Sequence, residues 1–532
     1  MNEFIIMDPE KFEGNIEYKY KLLNLDPEKF NKRLTQMQYR INEGYGEAFY
    51  HIGRMDDGTP LGLTKEEYDE SVNNLKLLVK ELNCNLSLLL ETIKNNSYIG
   101  EFIIRENDAT NYIDIKIGVA GNVDAGKSTT IGTLTRDILD DGRGKARLHV
   151  FKHKHEIDSG RTSSIGHQIM GFDKKGEIVN SKFEKTPTWT EIVNNSNKII
   201  TFYDLAGHER YLRTTIYGLT SIHPDYCLIM VGANTGVNHM TKEHISLCLT
   251  LKIPFIIIIS KIDMVPSNVL EETMKNINNI CKNGARKNPY LIKSSEDVLN
   301  VIKNIRADSI VPIIQISNVT AFNLNLLKQT LNLLPLRNDY AEFILKPVEY
   351  LIDDTYSVTG HSTIVSGLLK SGTIKVNDTI SIGPFFDGSY RQVKVRSIHC
   401  KFKNIKEAKA GSYICISLKN ILRKEIRKGM VIVTENLIAK KEFYANINIL
   451  HSPTTIKIGY QPFVHIEHIR QSVKITEIKK KSDDDSSVLR TGDRAQIKLE
   501  FIMRPEYIKP GMKLIFREGK VKAIGRILEI NE

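Results

Sequence analysis

The chain has 532 residues, too many for a single core, so three or four domains are expected. It is 41% apolar and 26% charged, an ordinary globular balance, and no apolar run approaches the roughly 18 residues a helical membrane span needs. The six cysteines (Cys84, Cys227, Cys248, Cys281, Cys400, Cys415) lack CxxC spacing, and the N-terminus lacks the basic-then-apolar layout of a secretory leader. Reduced thiols and a cytoplasmic location are therefore expected.

Residues 1–111 read as an N-terminal α/β extension. Leu75, Leu77, Leu78 and Leu82, then Leu86, Leu88, Leu89 and Leu90, suggest amphipathic or buried helices, while Glu43 to Gly53 reads as a turn leading into a strand. Residues 112–340 alternate strand-like and helix-like runs, which predicts a mostly parallel sheet with helices on both faces. After Ile113–Gly121, the strand candidates are Lys198–Asp204, Asp225–Gly232, Pro254–Ser260 and Pro312–Ser317. From residue 341 short β-rich runs separated by Gly, Asp and Asn predict two small antiparallel barrels, 341–436 and 437–532. Residues 341–532 carry 33 Lys and Arg against 21 Asp and Glu, a surplus of 12 that leaves the first 340 residues at −1. A basic C-terminal third points to a polyanionic partner, most simply RNA.

The strongest signal is Gly121-Asn122-Val123-Asp124-Ala125-Gly126-Lys127-Ser128, set between a strand-like run and a helix-like run from Thr129 to Leu139 that places Ile131, Leu134 and Ile138 on one face. Gly121 and Gly126 admit backbone angles that turn successive amide hydrogens inward around an anion, and the helix N-terminus adds partial positive charge. Lys127 can reach β- and γ-phosphates and the Ser128 hydroxyl can ligate Mg²⁺. This is a nucleoside triphosphate site.

Four further elements specify the nucleotide. Asp204-Leu205-Ala206-Gly207-His208 follows a strand, where a carboxylate can hold Mg²⁺ through water and the Gly207 amide can sense a γ-phosphate. Ser260-Lys261-Ile262-Asp263 follows the buried Ile run; a carboxylate there accepts from the N1 and N2 groups that guanine has and adenine lacks. Ser317-Asn318-Val319 closes the base pocket. Thr162, in Ser159-Gly-Arg-Thr162, lies in a long charged segment and could ligate Mg²⁺ only when a γ-phosphate is present, the logic of a switch.

In order and spacing these elements look like the five guanine-nucleotide motifs of the small-GTPase superfamily. With Gly207-His208 and two following barrels, the chain resembles the translational GTPases, the group of elongation factor Tu and elongation factor 1-alpha. More narrowly it is similar to the GTP-binding protein 1/2 family, through Glu13-Gly-Asn-Ile-Glu-Tyr-Lys, His153-Lys-His-Glu-Ile-Asp-Ser-Gly-Arg-Thr-Ser-Ser, Asp204-Leu-Ala-Gly-His-Glu-Arg-Tyr-Leu, Met240-Thr-Lys-Glu-His and Gln315-Ile-Ser-Asn-Val-Thr.

The resemblance implies a GTPase that binds GTP and GDP with Mg²⁺. Lys127 and the loop amides would cradle the phosphates, Ser128 and Thr162 would bind Mg²⁺ with Asp204 behind them, Asp124 would help hold a monovalent cation, and His208 would orient the attacking water. It further implies a monomeric, membrane-free factor acting on the ribosome and on tRNA or mRNA surveillance complexes. Its alternative is a GTP-gated adaptor that recruits RNA-decay machinery, with hydrolysis incidental. The chain departs from the elongation-factor pattern at Ser260 (usually Asn or Thr), Ala206 (usually Pro), Arg161 (usually an apolar gate residue) and His361 (in a usually glycine-rich turn).

Other residues carry weaker readings. His149, His153 and His155 with Asp158 fit no zinc spacing. Trp189 is expected to pack locally. Lys401-Phe-Lys403 and Arg423 to Lys428 read equally as phosphate contacts or as plain surface charge.

Overall fold

The computed structural model describes residues 7–107, 112–150, 165–357, 363–435, 439–480, 488–518 and 521–528. It divides into two compact units: Met1–His208 with Asp225–Leu249 and Ile253–Arg337, and Glu209–Pro224 with Thr250–Lys252 and Asn338–Glu532.

The first unit holds two sheets. The N-terminal sheet has the order β1 (Ile16–Lys19), β2 (Glu47–Ile52), β4 (Ser97–Glu106), β3 (Cys84–Lys94). Helices α1 (Pro27–Glu43) and α2 (Lys65–Glu81) begin at Asp26 and Thr64, whose side chains accept from Lys29 N–H and Glu67 N–H. Their apolar stripes, including Met37, Ile41, Leu75 and Leu78, pack on Tyr50, Phe102 and Ile104. Leu86 to Leu90 lie in β3 rather than a helix, because pairing with β4 outweighs the helical propensity of leucine. The turn at Gly44–Gly46 does lead into β2.

The second sheet runs β10-β11-β9-β8-β5-β7-β6, with β5 (Ile113–Gly121), β6 (Gly166–Phe172), β7 (Lys198–Asp204), β8 (Tyr226–Gly232), β9 (Phe255–Ser260), β10 (Asn288–Leu291) and β11 (Ile310–Gln315). All neighbours are parallel except edge strand β6, which lies antiparallel to β7. The predicted strands form almost as read, since fully buried Val and Ile runs suit a sheet covered on both faces. Helix α3 starts at Lys127 and stops at Arg136, where Asp137 turns left-handed; Ile138 therefore lies beyond the helix and is 36% exposed. Trp189 heads the short helix Trp189–Asn194 and packs against Ile169, Ile192, Val193 and Ile199. Order reverses at β5, whose neighbours β7 and β8 lie on opposite sides, so a crevice opens at the carboxyl end of β5.

The second unit contains two β-barrels. Strands between Glu349 and Val433 form a seven-stranded antiparallel sheet that closes by pairing Thr379–Gly383 with Arg391–Cys400. Strands from Glu442 to Ile527 form a six-stranded closed barrel filled by Phe443, Ile497, Leu499, Phe501 and Phe516. The helix Leu212–Ile222 belongs to this unit. Its Tyr217 hydroxyl donates to Asp353 O at 3.3 Å, and the Arg470 guanidinium sits 4.5 Å from the Tyr217 ring centre. No helix among the described residues is long and apolar enough to cross a membrane.

Candidate active site

The phosphate loop joins β5 to α3 at the crevice. Gly121 has φ of 150° and Gly126 of 82°, and a Cβ on Gly121 would strike the Met230 carbonyl. Asp124 is exposed and also left-handed, at φ 59°. Val123 is half-buried, whereas Ala125 is 1% exposed and anchors the loop. Lys127 Nζ donates to Gly121 O at 3.2 Å and Asn122 O at 2.7 Å, folding the side chain back across the loop. Burial lowers the Lys127 pKa, and the Asp204 and Asp124 carboxylates oppose that shift. Thr129 and Thr130 continue the first helical turn, with Thr130 N–H donating to Gly126 O at 2.8 Å.

Asp204 ends β7 beside this loop. Ser128 Oγ donates to Asp204 Oδ2 at 2.5 Å, and the two side chains are buried. A hydroxyl and a carboxylate held together are the hard oxygen donors Mg²⁺ takes, so these residues fit that ion. Leu205 N–H donates to Val119 O at 3.0 Å, which carries the chain straight past the end of β5. Leu205 and Ala206 are buried, and Gly207 follows against the loop: a Cβ there would strike Lys127 Nζ and lie 2.6 Å from Gly121 O. His208 is half-buried at the mouth. The backbone thus brings Lys127, Ser128, Asp204 and Gly207 into one cluster, with His208 next in the chain.

The base motifs leave the ends of β9 and β11. Ser260 is fully buried and its Oγ donates to Ala125 O at 2.8 Å, tying β9 to the phosphate loop. Lys261 is left-handed at φ 60°, which turns the chain into the short 3₁₀ turn Ile262–Met264 and leaves Asp263 exposed. Ser317 Oγ accepts from Val319 N–H at 3.2 Å and Thr320 N–H at 3.0 Å, holding the loop after β11 in a tight turn. Asn318 is buried and its Nδ2 donates to Thr130 Oγ1 at 2.9 Å, while Val319 is 40% exposed. Sequence reading did not single out Thr130 or the Ala125 carbonyl. The small hydroxyl at 260 was the available hint, since it needs a near partner.

Thr162, with Arg161, His153, His155, Asp158 and His361, lies outside the described residues, as does the His149 side chain. Among the described residues no group of three or more His, Cys, Asp or Glu is placed to hold a metal.

Residues 114–336 match the family described as elongation factor Tu GTP binding domain, and residues 362–433 match elongation factor Tu domain 2. GTP-binding protein 1 of Xenopus laevis is 42% identical over 522 residues, covering 97% of this chain and 79% of that protein. GTP-binding protein 2 of Homo sapiens is 39% identical over 537 aligned residues, covering 98% of this chain and 88% of that protein. Elongation factor 1-alpha of Pyrococcus horikoshii is 26% identical over 451 residues, covering 79% of this chain and 98% of that protein. The crystal structure of translation elongation factor SelB from Methanococcus maripaludis in complex with the GTP analogue GppNHp shares the fold, with a TM-score of 0.56 at 18% identity over 79% of this chain and 80% of that one. By its 39–42% identity to these relatives along almost its whole length, this chain belongs to the GTP-binding protein 1/2 family of translational GTPases.

Proposed function

We propose that this GTPase is a cytoplasmic, monomeric translation factor that uses hydrolysis of GTP to GDP and phosphate to leave or remodel a ribosome bearing tRNA or mRNA. The observation that carries the reading is the convergence of Lys127, Ser128, Asp204 and Gly207 at the carboxyl ends of β5 and β7, with His208 at the mouth. Six free cysteines agree with a reducing compartment, and the surplus of 12 positive charges in residues 341–532 suits an RNA partner.

The chemistry assigned to the chain is mostly positioning. Loop amides and Lys127 hold the β- and γ-phosphates, and Gly207 N–H meets the γ-phosphate. Ser128 and Thr162 would hold Mg²⁺ with Asp204 behind them, and the ion would supply positive charge beside the phosphate oxygens. Asp124, exposed in the loop, would help hold a monovalent cation. His208 orients a water whose oxygen bonds to the γ-phosphorus as the bond to the β–γ bridging oxygen breaks. GDP and phosphate leave, and the proton of the water passes to the phosphate. Asp263 accepts from guanine N1 and N2, and the 317–319 loop closes over the base.

Turnover measured with and without purified ribosomes tests the reading. A stimulation on the order of 10²-fold, lost in His208→Ala while GTP still binds, is the expected result. An unstimulated rate would point instead to an adaptor for RNA-decay machinery.

A further inference from the structure

The outer face of the last barrel carries a groove of about 760 Å³. Along it a single row of side chains crosses five strands. Lys479 pairs in register with Gln496, Gln496 with Asn446, Asn446 with Arg526, and Arg526 with Lys513. All five point outward, because the residues next to them, Ile478, Ile497, Ile447, Ile527 and Leu514, fill the barrel core. At the spacing of paired strands the row is roughly 19 Å long. Arg494 and Asn448, also paired in register, lie beside it. Thr250–Lys252, of the same compact unit, complete the lining, and Lys513 Nζ donates to Leu251 O at 2.8 Å.

The groove is cationic beyond what the barrel needs. Lys252, Lys479, Lys480, Arg494, Lys513 and Arg526 line it, and no Asp or Glu does. Lys480 is paired with Asp493 at 2.7 Å, and Lys479 lies 3.6 Å from Glu477. Arg494 and Arg526 are exposed and have no carboxylate partner among the described residues. Arg526 stands directly opposite Lys513, and like charges so placed on neighbouring strands destabilise a sheet. Elsewhere on the same barrel charges are matched: Lys498 pairs with Glu442 at 2.7 Å. An anionic ligand in the groove would offset the repulsion.

The amides decide what kind of anion fits. Gln496 and Asn446 stand between the cations, where each can donate to a phosphate oxygen and can also accept from a ribose hydroxyl. An acidic peptide side chain offers acceptors only and leaves the amide oxygens unmatched. No aromatic side chain lines the groove, so it has no platform on which a base could stack. Such a surface grips sugar and phosphate and is blind to sequence.

We propose that this groove binds the sugar–phosphate backbone of RNA, with Arg494 and Arg526 neutralising phosphates and Gln496 and Asn446 bonding to the strand between them. This rests on the RNA reading of residues 341–532 and gives it a place.

Fluorescence anisotropy of the full chain with a labelled single-stranded RNA of mixed sequence, titrated between about 50 and 200 mM salt, tests it. Replacing both arginines, Arg494→Ala with Arg526→Ala, should weaken binding on the order of tenfold and lower the salt slope by about 1.4, the worth of two phosphate contacts. Arg494→Lys with Arg526→Lys should keep the slope. Lys457→Ala with Lys474→Ala removes as much charge from exposed positions outside the groove and should leave the slope unchanged. GDP affinity, equal in all variants, reports that each is folded. An unchanged slope in the arginine-to-alanine variant would overturn the proposal, as would an equal loss in the lysine pair, which would mean a diffuse field. Displacement of the RNA by poly-glutamate as readily as by unlabelled RNA would overturn it in favour of an acidic protein. If the folded wild type bound no RNA at all, the failure would lie with the RNA reading itself.

Discussion

The Glu47 carboxylate lies 2.9 Å from Lys198 Nζ, and neither side chain is more than 1% exposed. Glu47 opens β2 of the N-terminal sheet and Lys198 opens β7 of the nucleotide-binding sheet, so the pair joins the two sheets at the end of β7 remote from Asp204. Arg105 of β4 also reaches Glu47, at 3.2 Å, and donates to Asn332 Oδ1 at 2.9 Å. Phe49 and Ile103 of the N-terminal sheet belong to the same core as Ile115, Phe202 and Leu331. The extension is thus built into the GTPase core and does not hang from it as a separate bead.

Glu47→Ala leaves Lys198 and Arg105 buried beside each other with no carboxylate between them. Breaking a buried pair this way costs about 3–5 kcal/mol, and the isosteric Glu47→Gln should cost less because it still accepts hydrogen bonds. Urea unfolding of both variants checks this; an unchanged midpoint for Glu47→Ala would remove the case for a structural joint.

Asp263→Asn should turn the base pocket toward xanthine. Guanine donates from N1 and N2, which a carboxylate accepts; xanthine carries a carbonyl at C2, which an amide N–H can meet. GTP affinity is expected to fall roughly 10³-fold while XTP binding rises, since a buried donor without an acceptor is strongly rejected. Competitive titration of the two nucleotides decides it, and a variant that still prefers GTP would show that the base is read elsewhere.

Acid should loosen the last barrel at a pH set by histidine. Burial holds the His465 pKa down to about 3, with Arg470, Arg213 and Arg517 adding repulsion. Burial also lowers His468 to about 4, where Glu467 and Glu349 oppose the shift and Lys370 and Arg427 support it. In an unfolded chain both titrate near 6.5. Between pH 6.5 and about 4 the unfolded state therefore binds protons that the folded state does not, and stability is lost as pH falls through that window. Above pH 6.5 these groups contribute no slope. Each histidine adds at most about 1.4 kcal/mol per pH unit. Amide exchange on the strands at 463–480, followed in urea from pH 7.5 to 4.5, measures it. His468→Leu should flatten the slope, and an unchanged slope would argue against buried neutral imidazoles.

The nucleotide-binding elements were readable because each is a contiguous stretch whose residue types are demanded by its chemistry. Gly121 and Gly126 need unusual backbone angles, and Asp204 and Ser260 each end a strand that is buried along its whole length. Strand β6 is not legible in the sequence: Gly-His-Gln-Ile-Met-Gly-Phe has no alternation, and it forms because β7 offers an edge. The run Leu86 to Leu90 reads as a helix yet forms a strand because leucine suits both, and only its partner β4 resolves the choice. Thr162 was legible as a motif, yet it lies outside the described residues.

By itself the sequence determined the order of the guanine-nucleotide motifs, the parallel sheet that carries them and the two barrels that follow in the chain. Those features depend on residues near one another in the chain, where local sterics, hydrophobic period and charge act directly. Only the tertiary structure decided that Ser260 reaches the Ala125 carbonyl, that Asn318 lies against Thr130, that the helix 212–222 packs with the barrels, and that Glu47 pairs with Lys198 across 151 positions. Contacts of that kind arise when distant segments are buried together, and burial obliges each polar group to find its partner wherever the fold happens to bring one.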